Sequence, residues 1–490
     1  MRATRGCTLS AALVAASLCA ATTSPALAQT AAPAKSAAAS SSTLDAETLE
    51  HFQTLVRMDT SDPPGNEQPA VDYLKRVLDK EGIPVQIFVK QPGRPNLVAR
   101  LKGNGRKRPL LIMGHTDVVN VDPAKWTHPP FSAERDGGYI YGRGTLDDRP
   151  HVVGGLMALL SLKRDLVPLD RDVIFLAEAG EEGNPMLGAE YMVNEHFDAI
   201  DAEYCLAEGA GVVRKGGKVR YASVETAEKV PNGIDMIARG PSGHGSRPLQ
   251  TNAVVHLARA IAAVATWQPP VVLNDTTRTF FQRLAEVSEP EAAKHYRDVV
   301  SKDPAAVADA DAWLRANEPN YASMLRTSVS PNIIQGGYRP NVIPSEAKAT
   351  LDVRFRPGDD YDQFLAELTR VVADPAVELR FNGWPPSSTG KPRVAGISRI
   401  DNEAFAVIEG ALKKHYGVTV LPVMATGATD MAFVRTKGVQ CYGFGPAADE
   451  EDGPKGFGAH SDQERILEAE LYRFVHLTVD LATALASAPH

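Results

Sequence analysis

The side chains able to do chemistry gather where apolar runs stop. "PLLIMGHTDVV" ends in His115 and Asp117. Residues i and i+2 of an extended chain point the same way. An imidazole there can bind a metal while the carboxylate beside it fixes the ring. "GRGTLDDR" sets Asp147 and Asp148 immediately before a helical pattern. Helix capping accounts for one aspartate; the second is surplus to it. "FLAEAGEEGNP" ends another apolar run in Glu181 and Glu182. Adjacent carboxylates repel, and burial raises their cost unless a cation neutralises them. One of the two can bind metal while the other takes a proton from a metal-bound water. "LAEGA" adds Glu208 and "GFGAHSDQE" adds His460 in a glycine-rich loop.

Taken singly, each position has a bland reading as a capped core histidine, a helix cap or a turn residue. Taken together, two imidazoles with several carboxylate oxygens suit Zn²⁺, with Co²⁺ or Mn²⁺ as substitutes. No cysteine joins them, so the set is not a structural zinc site. The donors exceed what one tetrahedral ion needs, and a two-metal site with a bridging carboxylate fits their number. The sequence lacks a Gly-x-Ser-x-Gly elbow and a dinucleotide-binding glycine fingerprint, which argues against a serine hydrolase and against a nicotinamide enzyme.

The elements that must position these residues read as strand, helix, strand, helix, strand between residues 110 and 210. That alternation predicts an α/β domain with a mainly parallel sheet, in which ligands sit at the carboxyl ends of strands. Amphipathic helices are expected over 45–59 and 67–81. Near Lys229 the pattern changes. "NGIDMIARG" and "EAKATLDVRFRPG" alternate as strands, "TNAVVHLARAIAAVATW" and "YDQFLAELTRVVAD" read as helices, and 275–326 is a charged, alanine-rich helical insertion. The expected organisation is a catalytic domain in two parts, 44–228 and 387–490, interrupted by a smaller α+β domain over 229–386 that contains the insertion. Over 461–486 a single helix is expected.

The first 28 residues combine Arg2 and Arg5, a short apolar core and an Ala-Leu-Ala cleavage pattern. They predict a cleavable signal peptide, and therefore a periplasmic or secreted protein. Residues 29–43 read as a disordered low-complexity spacer. Loss of the two signal-peptide arginines takes the formal charge from −8 to −10. That acidity argues against a nucleic-acid or anionic-membrane surface, and no later run is long and apolar enough to span a bilayer. Cys205 and Cys441 would remain in an oxidising setting, either joined or as two separate buried thiols.

In order, "GHTDVV", "GRGTLDD", "AGEEG", "LAEG", "GPSGHGSRP", "NVIP", "DVRFRPG", "TGATDM" and "GAHSDQE" resemble the motifs of M20-family zinc peptidases and acylases, in the branch of carboxypeptidases, aminoacylases and succinyl-diaminopimelate desuccinylases. The resemblance implies a two-zinc catalytic domain with a ferredoxin-like lid and dimerisation domain. It implies that His115 and Glu208 hold one zinc, Glu182 and His460 the other, and that Asp147 bridges them before a non-proline cis peptide. Asp117 would orient His115. Glu181 would be the general base for attack by a metal-bridging hydroxide. His244 would reach a neighbouring subunit's site and stabilise the oxyanion. Asn341, Arg354, Gly427 and Thr429 would touch substrate, with Asp430 structural. The text after the bridging aspartate departs from the family's Lys and Gly, reading "DDRPHVVGG". The implied substrate is a small peptide, cut as by a carboxypeptidase or dipeptidase. The alternatives are an N-acyl amino acid and, further off, a non-catalytic binding protein. Desuccinylation in lysine biosynthesis is cytosolic and fits the signal peptide poorly.

Overall fold

The computed structural model describes residues 37–388 and 393–488, without the side chains of 37–41; the signal-peptide expectation lies outside them. Leu44–His490 is one compact unit. Its first helix, Ala37–Val56, begins inside the segment expected to be a disordered spacer. Alanine is the best helix former, so an alanine-rich stretch abutting a helix extends it.

The central sheet has ten strands. Its middle is parallel: Leu110–His115 lies between Val173–Glu178 and Tyr204–Ala207, and Gln440–Gly443 follows. These strands are buried along their whole length, as parallel strands covered on both faces must be. The flanks correct the expectation of a mainly parallel sheet. Val85–Gln91 and Arg94–Leu101 form an antiparallel hairpin that adds antiparallel to Val173–Glu178. Lys218–Glu228 is antiparallel to Gln440–Gly443 and to Val212–Lys215. The sheet is therefore mixed.

One face packs on the helices Arg149–Arg164 and Glu468–Ala486, the other on Ala189–Glu195 and Met431–Arg435. Gly155 lets the first helix close on the sheet, since a Cβ there would lie 2.5 Å from the Phe175 ring. The final helix starts later than expected. Arg465–Leu467 is a strand paired with Tyr139–Tyr141, and the helix runs Glu468–Ala486.

Residues 230–381 build a four-stranded antiparallel sheet in the order Ser328–Gly336, Glu346–Phe355, Val230–Arg239, Val377–Phe381. Helices Ala253–Thr266 and Tyr361–Val372 cover it. Every second residue of Glu346–Phe355 is buried, the period of a strand with one wet face. The inserted helices do not belong to this layer, contrary to the sequence-based assignment. Phe280, Phe281, Tyr296, Leu314 and Met324 pack instead with Leu421 and Met424. Those two residues lie on Val420–Ala425, which pairs with Lys218–Glu228 in the central sheet. An amphipathic helix specifies how much apolar surface it must hide, not which sheet hides it.

Cys205 and Cys441 are opposite one another on neighbouring parallel strands. Both are buried free thiols.

Candidate metal centre

His115 and Glu178 end their strands as register partners, so the loops that follow emerge side by side. One carries Asp117, the other Glu181 and Glu182. Asp117 joins the two loops. Its carboxylate accepts the main-chain N–H of Glu181 at 3.2 Å and of Glu182 at 3.0 Å. The His115 ring is held by the same residue: Nδ1 lies 3.1 Å from the Asp117 carbonyl oxygen and 3.5 Å from its carboxylate. The main chain, more than the carboxylate, therefore sets the ring.

His115 Nε2 points at 2.9 Å to Asp147 Oδ1 and at 3.6 Å to Glu208 Oε2. On the other side His460 Nε2 lies 3.1 Å from Asp147 Oδ2 and 2.8 Å from Glu182 Oε1. Each oxygen of Asp147 thus faces a different histidine. The Asp147–Asp148 peptide is cis, and the two side chains part company. Asp148 is buried against His151 and accepts the His115 N–H at 3.2 Å.

Among the described residues, three groupings have donor atoms close enough to share an ion: His115–Asp147–Glu182, His115–Asp148–Glu208 and Asp62–Glu67–Asp117. In the second, Asp148 is engaged by His151, so Asp147 is the better donor. In the third, Arg94 reaches Asp62 at 2.7 Å and Glu67 at 2.5 Å and supplies the positive charge itself.

The electrostatics of the first two groupings ask for a cation. Burial, reinforced by the Asp147 carboxylate, pushes the Glu208 carboxyl up to about 8. Burial and then Glu208 hold Glu181 well above the usual carboxylate range. Hydrogen bonds to Asp147 and Glu182 raise His460 to about 10. Burial disfavours charge on His115, yet Glu208, Asp117 and Asp147 outweigh it and hold the imidazole well above its ordinary value. Carboxylates crowded around two imidazoles carry negative charge that a divalent cation would neutralise. Nitrogen and carboxylate oxygen without thiolate form a donor set for zinc-like ions, so these residues fit a pair of them.

The profile of peptidase family M20/M25/M40 matches residues 111–484. The chain belongs to that family. A Dictyostelium discoideum protein named "Probable carboxypeptidase S-like 2" is 30% identical over 344 residues. The Xenopus tropicalis N-fatty-acyl-amino acid synthase/hydrolase PM20D1 is 30% identical over 293. These alignments take in 66% and 57% of this chain but only 62% and 54% of the relatives. Mouse aminoacylase-1, at 26% identity, aligns over 89% of this chain and 95% of its own length. The fold matches the M20 metallo-carboxypeptidase Sso-CP2 from Sulfolobus solfataricus, with a TM-score of 0.64, 21% identity and coverage of 89% of this chain and 98% of that one. It also matches the Bacillus subtilis YXEP protein, a dinuclear metal-binding peptidase of the family, with a TM-score of 0.57, 13% identity and coverage of 91% and 98%. The relatives it matches are thus named as peptidases and amidohydrolases.

The remaining expected site residues of this M20 chain are placed differently. His244 is exposed on the two-stranded ladder Gly243–His244 with Val342–Ile343, and Asn341, also exposed, immediately precedes the second strand. His244 Nδ1 is occupied by Ser246 Oγ at 2.7 Å. Arg354 is engaged by Asp352 at 2.8 Å and lies against Trp384. Gly427 is exposed. Thr429 donates its N–H and its hydroxyl, each at 2.9 Å, to the buried Glu228. Asp430 was expected to be structural; it is buried, with Oδ2 lacking a partner among the described residues, and burial raises its carboxyl to about 7.

Sequence reasoning missed two supports. Glu464 accepts the N–H of Leu146 at 2.7 Å and of Asp147 at 3.3 Å while pairing with Arg143. Arg149, in the departing text "DDRPHVV", donates 2.6 Å hydrogen bonds to the Thr116 carbonyl and to Thr60 Oγ1. Glu464 stands four residues beyond His460 in the quoted motif; that adjacency was the available signal.

Proposed function

We propose that the protein is an exported hydrolase that cleaves an amide bond in small peptides using two zinc ions. The observation that carries this is the convergence of His115, Asp147, Glu182, Glu208 and His460, from five separate segments, into contacts of 2.8–3.6 Å. His115 and Glu208 would hold one ion, Glu182 and His460 the other, with one oxygen of Asp147 on each. Such ions, when bound, supply Lewis-acid polarisation of a carbonyl and acidify water.

This chain's own residues do the rest. Glu181 accepts a proton from the attacking water and returns it to the departing nitrogen. Asp117 keeps Glu181 beside Glu182 by binding both main-chain amides. Glu464 keeps the Asp147 backbone in place. His244, with Asn341, Arg354, Gly427 and Thr429, would contact substrate. His244 is exposed on the antiparallel layer, so a second copy of the chain is its expected route to a catalytic centre. The outer strand Ser328–Gly336 leaves Ile333 and Ile334 51% and 62% exposed, an open edge such a copy can pair with.

A second reading, hydrolysis of N-acyl amino acids, is favoured by the alignment with aminoacylase-1 over 89% of the chain. A panel of dipeptides and N-acyl amino acids assayed with zinc, cobalt or manganese separates the two. Turnover of neither class overturns the proposal.

A further inference from the structure

Several buried arginines around the cleft are answered by carboxylates of the protein itself. Arg94 lies 2.5 Å from Glu67 and 2.7 Å from Asp62, Arg143 lies 2.5 Å from Glu464, and Arg435 lies 2.7 Å from Glu228. Arg354, expected to meet substrate, already gives its fork to Asp352 at 2.8 and 3.2 Å. Arg393 breaks the pattern.

Arg393 lies on the stretch by which the chain returns from the antiparallel layer to the central sheet. Its carbonyl oxygen accepts the Tyr361 hydroxyl at 2.5 Å, which fixes the main chain against the helix Tyr361–Val372. Its guanidinium rests on the helix Met431–Arg435, with the central carbon 5.0 Å from the middle of the Phe433 ring. Among the described residues it makes one hydrogen bond, from Nη2 to the Pro386 carbonyl at 3.2 Å. Nε is buried without a partner. Stacking on a ring holds a guanidinium by its face and leaves the donors along its edge unspent.

A charge taken out of water without an opposite charge in contact is costly. Burial loosens the hold of Arg393 on its proton, and the charges of Asp430, Glu190, Glu181 and Glu228, in that order, offset only part of this. Glu181 is the group that hands a proton to the departing nitrogen, so a cation within its field faces the half of the substrate that leaves. For a dipeptide, a carboxypeptidase substrate or an N-acyl amino acid, that half is an amino acid. It carries a carboxylate, the anion that a guanidinium fork fits best.

We propose that Arg393 binds a carboxylate of the departing amino acid and so determines which residues are released. This rests on the hydrolase reading above and adds to it a residue that sets specificity. The recognised group is the α-carboxylate or an acidic side chain, and the experiment separates the two.

The test compares kcat/KM for glutamate, glutamine and glutamate α-amide as leaving residues. All three carry one common acyl group, chosen from those that the panel above shows to be cleaved. The metal-loaded natural enzyme is set beside its Arg393→Met and Arg354→Met variants. A charge-assisted hydrogen bond is worth roughly 10–100-fold. Neutralising the recognised carboxylate as its amide should therefore cost the natural enzyme about that factor. In Arg393→Met the cost should fall below about threefold, because the acid itself loses its partner. The amide whose cost disappears identifies the carboxylate. Because the readout is a ratio within one preparation, losses from misfolding or poor metal loading cancel. No cost for either amide in the natural enzyme overturns the proposal. So does a cost that survives in Arg393→Met or is removed only by Arg354→Met. An equal loss for the acid and both amides in Arg393→Met would mean that Arg393 only balances Asp430, and overturns it too. If nothing in the panel is cleaved, the hydrolase reading fails, and calorimetric titration with free glutamate still decides the residue. Glutamate binding weakened at least tenfold by Arg393→Met supports it; equal binding, or none, overturns it.

Discussion

The metal cluster and the exposed ladder of the antiparallel layer hold histidines of opposite character. His115 is buried, its ring fixed at Nδ1 by Asp117 and its Nε2 aimed at two carboxylates. His244 is exposed and its nearest polar partner is a serine two residues away. The first site is finished by the chain itself: donors on five segments are already within coordinating reach, and the carboxylates behind them are braced by main-chain amides. The second presents an exposed imidazole held only by a neighbouring serine among the described residues. A buried set of like charges demands its cation, whereas an exposed imidazole carries no such demand. The difference separates donors gathered by folding from an imidazole that folding leaves at the surface.

Four experiments sharpen or break that contrast, from the largest expected effect to the smallest. Glu181→Gln should lower kcat by roughly 10²–10⁴-fold, the range of a general base, with metal content by elemental analysis unchanged. Full activity in that variant would remove the proton carrier. His244→Ala should cost about 10²–10³-fold if its imidazole steadies an oxyanion. Mixing it with Glu181→Gln under subunit exchange should then restore about a quarter of natural activity, because half of the dimers are hybrids with one intact site each. No recovery on mixing would mean that His244 serves its own chain or none.

Asp117→Ala should weaken metal binding about 10–100-fold, as loss of an outer support does, measured by competition with a chromogenic chelator. Unchanged affinity would show that the loops need no tie.

The mildest effect concerns Lys229, buried where the central sheet passes into the antiparallel layer. Burial, aided by Arg354, Arg326 and Arg356, lowers its ammonium from 10.5 to about 7; the ammonium donates to the hydroxyls of Ser323 at 3.0 Å and Ser328 at 2.8 Å. Below pH 7 the residue is charged whether folded or unfolded, and folding carries the whole desolvation cost. Between 7 and 10.5 the folded form gives up its proton first and the cost shrinks; above that range it is gone. Lys229→Met should therefore stabilise the protein by about 1–3 kcal/mol near pH 6, and by progressively less as pH rises. Denaturant titration at pH 6 and pH 9 checks this, and a gain that grows with pH would contradict the burial account.

The legible parts of this molecule were those whose chemistry is local. His115, Glu181 and Glu182 stood out because an apolar run that stops in charged groups marks a strand end in a covered sheet. The βαββαβ order of the antiparallel layer followed from alternation and helical spacing. What could not be read depended on partners distant in sequence. The place of Glu464 four residues beyond His460 hints at a role, but it does not name the distant Leu146 and Asp147 amides as partners. Asp148 is the exception: its His151 partner stands only three residues on, but a cap is the ordinary use of an aspartate before a helix. The helices of 275–326 show an apolar face, but only the folded chain shows Leu421 and Met424 beneath it. The antiparallel flanks of the sheet escaped for the same reason, because a strand's own pattern does not state its neighbour's direction.

The central claim is that five side chains enclose two ions about one shared aspartate. Anomalous diffraction at the zinc edge, on crystals grown with zinc, tests it most directly. The account predicts two peaks in the cleft, one against His115 and Glu208, the other against Glu182 and His460, with Asp147 touching both. A single peak remote from Asp147, or a cleft without any, would contradict it.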